Sequence, residues 1–175
     1  RIAIALANTV KRNETLSDFN DDELFKRLFW QNQAPDESLI LSAEVFSLVY
    51  SFEGEDVYSE KSELSFFGSL INKTGDMLYH DISILRERNL IQSRGVWRAV
   101  LPHAIANRLA KRALNVIPKD KLIQAFLNSG SERLIRSFSK RLSYLHDSKL
   151  AIEIANEWLS PSGMLGKNNC RFNQL

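Results

Sequence analysis

The 175-residue sequence predicts a mainly α-helical fold carrying one small β-hairpin. Three observations predict it. Apolar residues recur at helical spacing through most of the chain. Strong helix formers dominate beside only seven Gly and four Pro. One stretch, "LIQSRGVWRAVL" at 90–101, instead has two short apolar runs around Arg94-Gly95, as a hairpin does. With 44% hydrophobic and 25% charged residues, the chain can bury one sizeable core or two small ones. It is unlike a disulfide scaffold, a disordered chain or a sandwich of many turns.

Residues 1 to about 12 read as the end of an Ala-rich helix. Ser17–Trp30 follows as a short amphipathic one, with Ser17 or Asp18 as N-cap and Leu24, Phe25, Leu28 and Phe29 at helical spacing. "NQAPDES" breaks it and marks a domain boundary near residue 35. "LILSAEVFSLVYSF" then puts Leu41, Val45, Leu48, Val49 and Phe52 on one helical stripe. "EGEDVYSEKS" reads as a loop, too acidic and polar to be buried. Ser62–Ile71 and Asp76–Asn89 read as two short helices joined by "NKTGD", where Gly75 is available for a positive φ; the second carries Leu78, Ile82 and Leu85. Helix, helix-turn-helix and hairpin, in that order, make a winged helix over residues 36–117.

Past the hairpin, Pro102 falls at the N1 position of a helix lined by Ile105, Leu109 and Leu114 as far as Pro118. Two or three more helices follow around Leu122–Leu127, Ser131–Tyr144 and Lys149–Leu159, ended by "NSG", "HDS" and "SPSG". Residues 118–175 are therefore a helical bundle or arm. No convincing repeat is visible, although paired short helices are also how a solenoid starts.

The net charge of +2 hides an asymmetry. Residues 1–41 carry a net −2 and 42–98 a net −3, while 99–150 carry 10 basic and 3 acidic residues. The lone Cys170 allows neither a disulfide framework nor a zinc cluster and points to a reducing, cytoplasmic setting. No stretch approaches the ~18–20 apolar residues of a membrane span, and no signal core opens the chain. The chain begins at Arg1 within a helix already under way, which reads as a piece of something longer.

Each candidate site has a plain structural alternative. The second helix of the helix-turn-helix would present Asp76, Tyr79, His80, Ser83, Arg86 and Glu87 to a DNA groove, with Arg86, Arg94 and Arg98 as the alternative DNA contacts. Its segment is net acidic, a poor match to a polyanion, so DNA is not expected as a partner. Arg136, Lys140 and Arg141 lie in the basic segment, either as a solvated face or as a docking surface for an acidic protein. Catalysis has little support: His80, His103 and His146 are scattered, no metal-ligand spacing occurs, and "GSLINKT" at 68–74 lacks the second glycine of a phosphate loop. The chain is not expected to be an enzyme by itself. His103 is different because the first turn of a helix offers free N–H groups and a positive dipole end to a phosphate. The same field lowers an imidazole's pKa, leaving a neutral hydrogen-bond donor there. A histidine that merely caps the helix or packs on the hairpin is the alternative.

"RIAIALA" at the start, "RGVWRAVLPHAIANRLA" at 94–110 and "RSFSKRLSYLHDS" at 136–148 resemble the segment after the nucleotide-binding core of large bacterial STAND NTPases. These are signalling ATPases related to AAA+ and NB-ARC proteins, several of them implicated in antiviral defence against phage. The resemblance covers nearly the whole chain. It implies that residues 1–35 are a remnant of the helical lid of an NTPase module. It also implies a winged helix that folds back on the core of the same chain, ATP or ADP with Mg in the parent protein, and oligomerisation of that parent. In the family's MHD motif a histidine contacts the β-phosphate of ADP. The matching stretch here is Leu101-Pro102-His103-Ala104, so the histidine carries over while the methionine and aspartate do not. Arg1 resembles the lid arginine that senses the γ-phosphate. The resemblance thus implies a regulatory segment in which Pro102, His103 and Arg1 read the nucleotide state. A standalone winged-helix DNA-binding regulator and a helical adaptor are the alternatives.

Overall fold

Helix starts in this chain are set by short polar side chains. Asp36, Ser62, Thr74, Ser131 and Ser148 each accept a hydrogen bond from the amide three residues on, at 2.9–3.4 Å, which satisfies one of the donors every helix leaves open. The computed structural model describes Phe29, residues 36–59 and residues 61–163. The helices expected within 1–35, the lid remnant and Arg1 lie outside the described residues, Phe29 apart. The elements in order are α1 (Glu37–Ser47), β1 (Phe52–Glu53), α2 (Glu63–Ile71), α3 (Gly75–Glu87), β2 (Ile91–Arg94), β3 (Trp97–Val100), α4 (His103–Val116), α5 (Lys119–Ser129), α6 (Glu132–Leu142) and α7 (Lys149–Leu159). The fold is mainly helical, with a small antiparallel sheet in strand order β1-β3-β2.

Four local expectations are corrected. The helix expected to run to Phe52 ends at Ser47, and Phe52 pairs with Arg98 as the start of β1. Because α1 is buried on nearly all sides, from Leu39 and Ile40 through Ser42–Ser47, apolar spacing alone could not mark its end. Gly75 is the first residue of α3, and Asn72 takes the left-handed conformation instead, φ 58°. Asn72 closes α2 as the Lys73 amide reaches back to the Gly68 carbonyl at 3.0 Å. Pro102 is the N-cap of α4, so His103 takes N1. The acidic loop after β1 is not wholly exposed: Gly54 and Ser62 are buried. The hairpin stands as expected, with Arg94 paired to Trp97 across a two-residue turn. Gly95 takes φ 56° there, as the first position of a II′ connection requires.

One hydrophobic cluster runs from α1 to α7. Its spine is an unbroken series of rings. Phe46 stacks on Phe52 at 4.6 Å, Phe52 meets Phe67, Phe67 meets Phe66, and Phe66 meets Phe126. Phe126 then stacks on Phe138 at 4.3 Å, and Phe138 meets Trp158 edge-on at 5.3 Å. Offset and edge-on ring pairs add specific geometry to the area they bury, so α5–α7 share one interior with α1–α4.

The charge asymmetry is resolved inside the molecule. Arg133 of α6 forks onto the buried Glu63 of α2, with Nε 2.8 Å from Oε1 and Nη2 on Oε2. It also donates to the Ser51 carbonyl at 3.2 Å and lies 4.7 Å over the Trp97 ring. Arg112 of α4 pairs with the buried Glu44 of α1 at 2.8 Å. Burial pushes the Glu44 carboxyl above its usual range, outweighing the pull of Arg112. Residue 51 is pinned to α6 twice more, through the Ser137 hydroxyl: Ser137 Oγ donates to the Ser51 carbonyl at 2.6 Å and accepts from the Ser51 amide at 2.9 Å.

Candidate functional site

The helix that follows the hairpin starts without a capping side chain. Its N-cap is Pro102, joined to Leu101 by a cis peptide bond, and its first turn contains no acid. The Pro102 carbonyl accepts from the amides of Ile105 and Ala106 at 3.0 Å each. An α-helix provides no internal acceptor for its first amides, so those of His103 and Ala104 face outward. The His103 side chain is exposed at this end. α5 also begins on a proline without a side-chain cap, but Asp120 stands in its first turn.

Three elements meet around His103. Tyr50, from the α1–β1 connection, stacks on the imidazole with centroids 4.9 Å apart and an interplanar angle of 21°. Its hydroxyl lies 3.3 Å from His103 Nε2. A neutral ring that accepts the Tyr50 proton at Nε2 keeps its own proton on Nδ1. From the end of α6 and the turn beyond it come Lys140, Arg141 and Tyr144. Lys140 Nζ lies 3.6 Å over the Tyr50 ring, and the ring of Tyr144 stacks at 6.2 Å from it.

Arg141 is fully buried, with its guanidinium carbon 5.7 Å from the Tyr50 ring. It donates to Asn107 Oδ1 at 2.6 Å and to the Val49 carbonyl at 3.3 Å, while its Nε has no partner. Partial burial holds the His103 imidazole below its ordinary range, and the Arg141 and Lys140 charges push the same way. The direction is the one expected for a helix start, but the causes are burial first and then two neighbouring cations.

Elsewhere the chain matches cations with acids, as in Lys73–Asp81, Arg98–Glu55, Lys111–Asp147 and Lys119–Glu157. Around Tyr50 it does not. Among the described residues no carboxylate forms an ion pair with Lys140, Arg141 or His103, and the positive end of α4 adds to their field. Such a place is suited to an anion carrying more than one oxygen.

The other residues singled out in the sequence are dispersed. Arg86 is exposed on α3 and Arg94 at the end of β2. Arg98 is buried, bonded to Glu55 at 2.9 Å and to the carbonyls of Gly95 and Trp97, so it does not stand out toward a duplex. Asp76, Tyr79, His80 and Glu87 are exposed beside Arg86, which leaves that face mixed in charge. Arg136 is exposed and paired with Glu132 one turn away, whereas Arg141 has no exposed surface to offer a docking partner. His146 sits in the turn after α6, four residues past its last helical residue, and its neighbour Asp147 pairs with Lys111.

Gly68, in the stretch that only approximates a phosphate loop, lies within α2 against the Lys73 carbonyl. No group of His, Cys, Asp and Glu among the described residues could hold a metal ion, and no described helix is long and apolar enough to cross a membrane.

Sequence reading missed Tyr50, because it follows a run of apolar residues that look like core. It also missed the partners Glu44 and Glu63, because long-range pairing leaves no local pattern.

No match is found. Neither models of protein families, nor curated proteins, nor solved structures give a significant similarity to this chain.

Proposed function

We propose that the chain is a non-catalytic regulatory segment of a larger STAND-type ATPase, coupling nucleotide state to conformational change and oligomerisation. The observation that carries the reading is the placement of His103. It is an exposed imidazole at N1 of a helix that directly follows a hairpin, among cations that no carboxylate pairs with among the described residues. In this reading residues 36–117 are a winged helix. The order helix, strand, helix, helix and hairpin, with β1 laid on the outer side of β3, supports it. Residues 118–175 are the arm toward C-terminal sensor domains, and residues 1–35 are the end of the lid.

ADP and Mg belong to the nucleotide-binding core of the same chain, in the cytoplasm. A neutral His103 donating from Nδ1 suits the terminal phosphate of ADP, and loss of that contact would free the segment for assembly. The test is His103→Ala in the protein that carries its nucleotide-binding core. ADP affinity is expected to fall about tenfold, the worth of one charge-assisted hydrogen bond, with a rise in basal activity. Unchanged affinity together with unchanged quiescence would overturn the proposal.

A further inference from the structure

The cluster around Tyr50 is built from three separate parts of the chain. His103 belongs to α4, Tyr50 to the connection between α1 and β1, and Lys140, Arg141 and Tyr144 to α6 and its exit. A residue that only capped α4 would need none of the last three. Arg141 is the independent sign of a missing partner. It is a fully buried guanidinium held by two neutral oxygens, with its Nε unpaired and no carboxylate bonded to it among the described residues. Burying a cation without a counter-charge is costly, and an anion held nearby offsets that cost. Lys140 behaves alike: its ammonium rests on the Tyr50 ring and has no acid partner among the described residues.

We infer that α4 and α6 together form a composite site for a phosphate-bearing anion, with Lys140 and His103 as its ligands, Tyr50 as the positioning residue between them, and arm docking as the property it controls. The shared ligand chemistry is a di- or trianionic phosphoryl group, as in inorganic pyrophosphate or the end of a nucleoside diphosphate. The first-turn amides of α4 and the Nδ1–H of His103 would bind it from one side, and the Lys140 ammonium would swing from the Tyr50 face to bind it from the other. The occupied site then links α6 to α4 through charge, adding to the Arg133–Glu63 and Ser137–Ser51 bonds that already hold α6 in place. Among the described residues the titratable and charged groups gathered around His103 are Tyr50, Lys140, Arg141 and Tyr144, and none of them is a carboxylate. An arriving anion therefore favours the imidazolium, and binding should strengthen as pH falls toward the ordinary histidine range. This rests on the reading of His103 as a phosphate contact and extends it to a residue of the arm.

The experiment measures pyrophosphate, ADP and adenosine binding to the 175-residue chain by calorimetry, with amide hydrogen exchange of residues 132–148 in the same samples. The variants are Lys140→Met, Tyr50→Phe, His103→Ala and, as a control for net charge, Arg136→Gln. The expected result is binding of pyrophosphate and ADP but not adenosine, weakened about tenfold by Lys140→Met and retained by Arg136→Gln. Slower exchange across α6 should accompany binding. Similar constants for pyrophosphate and ADP identify the phosphoryl group as the whole ligand, and a preference for ADP adds a nucleoside contact to the same site. No pyrophosphate binding, equal loss in Arg136→Gln and Lys140→Met, or binding without protection of α6 would each overturn the inference. Loss with His103→Ala but none with Lys140→Met removes the composite site and leaves the nucleotide-sensor reading intact. A chain that binds pyrophosphate through Lys140 but has no nucleotide-binding core upstream does the reverse.

Discussion

Removing Arg133 tests how the basic half of the chain is held to the acidic half. The Glu63 side chain is only 8% exposed and the Arg133 side chain 34%. Arg133→Ala leaves a buried carboxylate with the Glu53 amide, at 2.7 Å, as its remaining partner. Breaking a fully buried pair by deleting one member costs about 3–5 kcal/mol. One-third exposure of the guanidinium lets water soften the loss, which brings the expected cost to about 2–3 kcal/mol, stacking over Trp97 included. Glu63→Ala strands the Glu53 amide but leaves Arg133 able to reach solvent, for about 1.5–2 kcal/mol. If the two groups act as one clamp, the double variant costs little more than Arg133→Ala alone, giving a coupling energy near 1.5 kcal/mol. Urea unfolding of the parent chain, both single variants and the double variant closes the cycle. Costs that add to within about 0.3 kcal/mol would refute the clamp.

Other expectations follow from the same packing. Phe138→Ala removes the ring between Phe126 and Trp158 and should cost about 3–5 kcal/mol in urea unfolding, since the neighbouring rings cannot close the gap. Gly68→Ala places a methyl 2.2 Å from the Lys73 carbonyl, so the turn into α3 must shift; a loss of about 1–3 kcal/mol in thermal unfolding is expected although the site is helical. His103 has a folded pKa below its ordinary 6.5, so the unfolded chain binds more protons in the window just under that value. Stability contributed there is full above pH 6.5 and falls as pH drops through the window, and His103→Asn should flatten that part of the Tm–pH curve. Glu44 has the opposite sign. Its folded pKa is raised from 4.5, so stability should decline as pH rises through 4.5 to the folded value, and Glu44→Gln should remove that decline.

Much of this fold is written locally. Ser62, Thr74, Ser131 and Ser148 start helices by accepting hydrogen bonds from amides three residues on, and such caps are visible in any sequence. The hairpin was legible for the same reason: Gly95 interrupts two apolar runs and supplies the positive φ of its turn. What escaped was set at a distance. β1 has only two residues and exists because Phe52 and Glu53 find Arg98 and Trp97 more than 40 positions on. Glu63 reads as a surface acid at a helix start until Arg133 arrives from α6. Of the candidate site, His103 was legible because a helix start announces itself. Lys140 was legible only as part of a basic face and Tyr50 not at all, since only tertiary packing brings the α1–β1 connection and the end of α6 to the same ring.

If His103 reads a nucleotide bound elsewhere in a longer chain, as proposed, the coding sequence ahead of Arg1 must encode the core that holds it. Sequencing the coding DNA ahead of the Arg1 codon shows whether it does. The expected result is a frame that stays open for several hundred codons and encodes a strand followed by G-x-x-x-x-G-K-[ST], the loop that cradles phosphates. A start codon immediately ahead of Arg1 would contradict it.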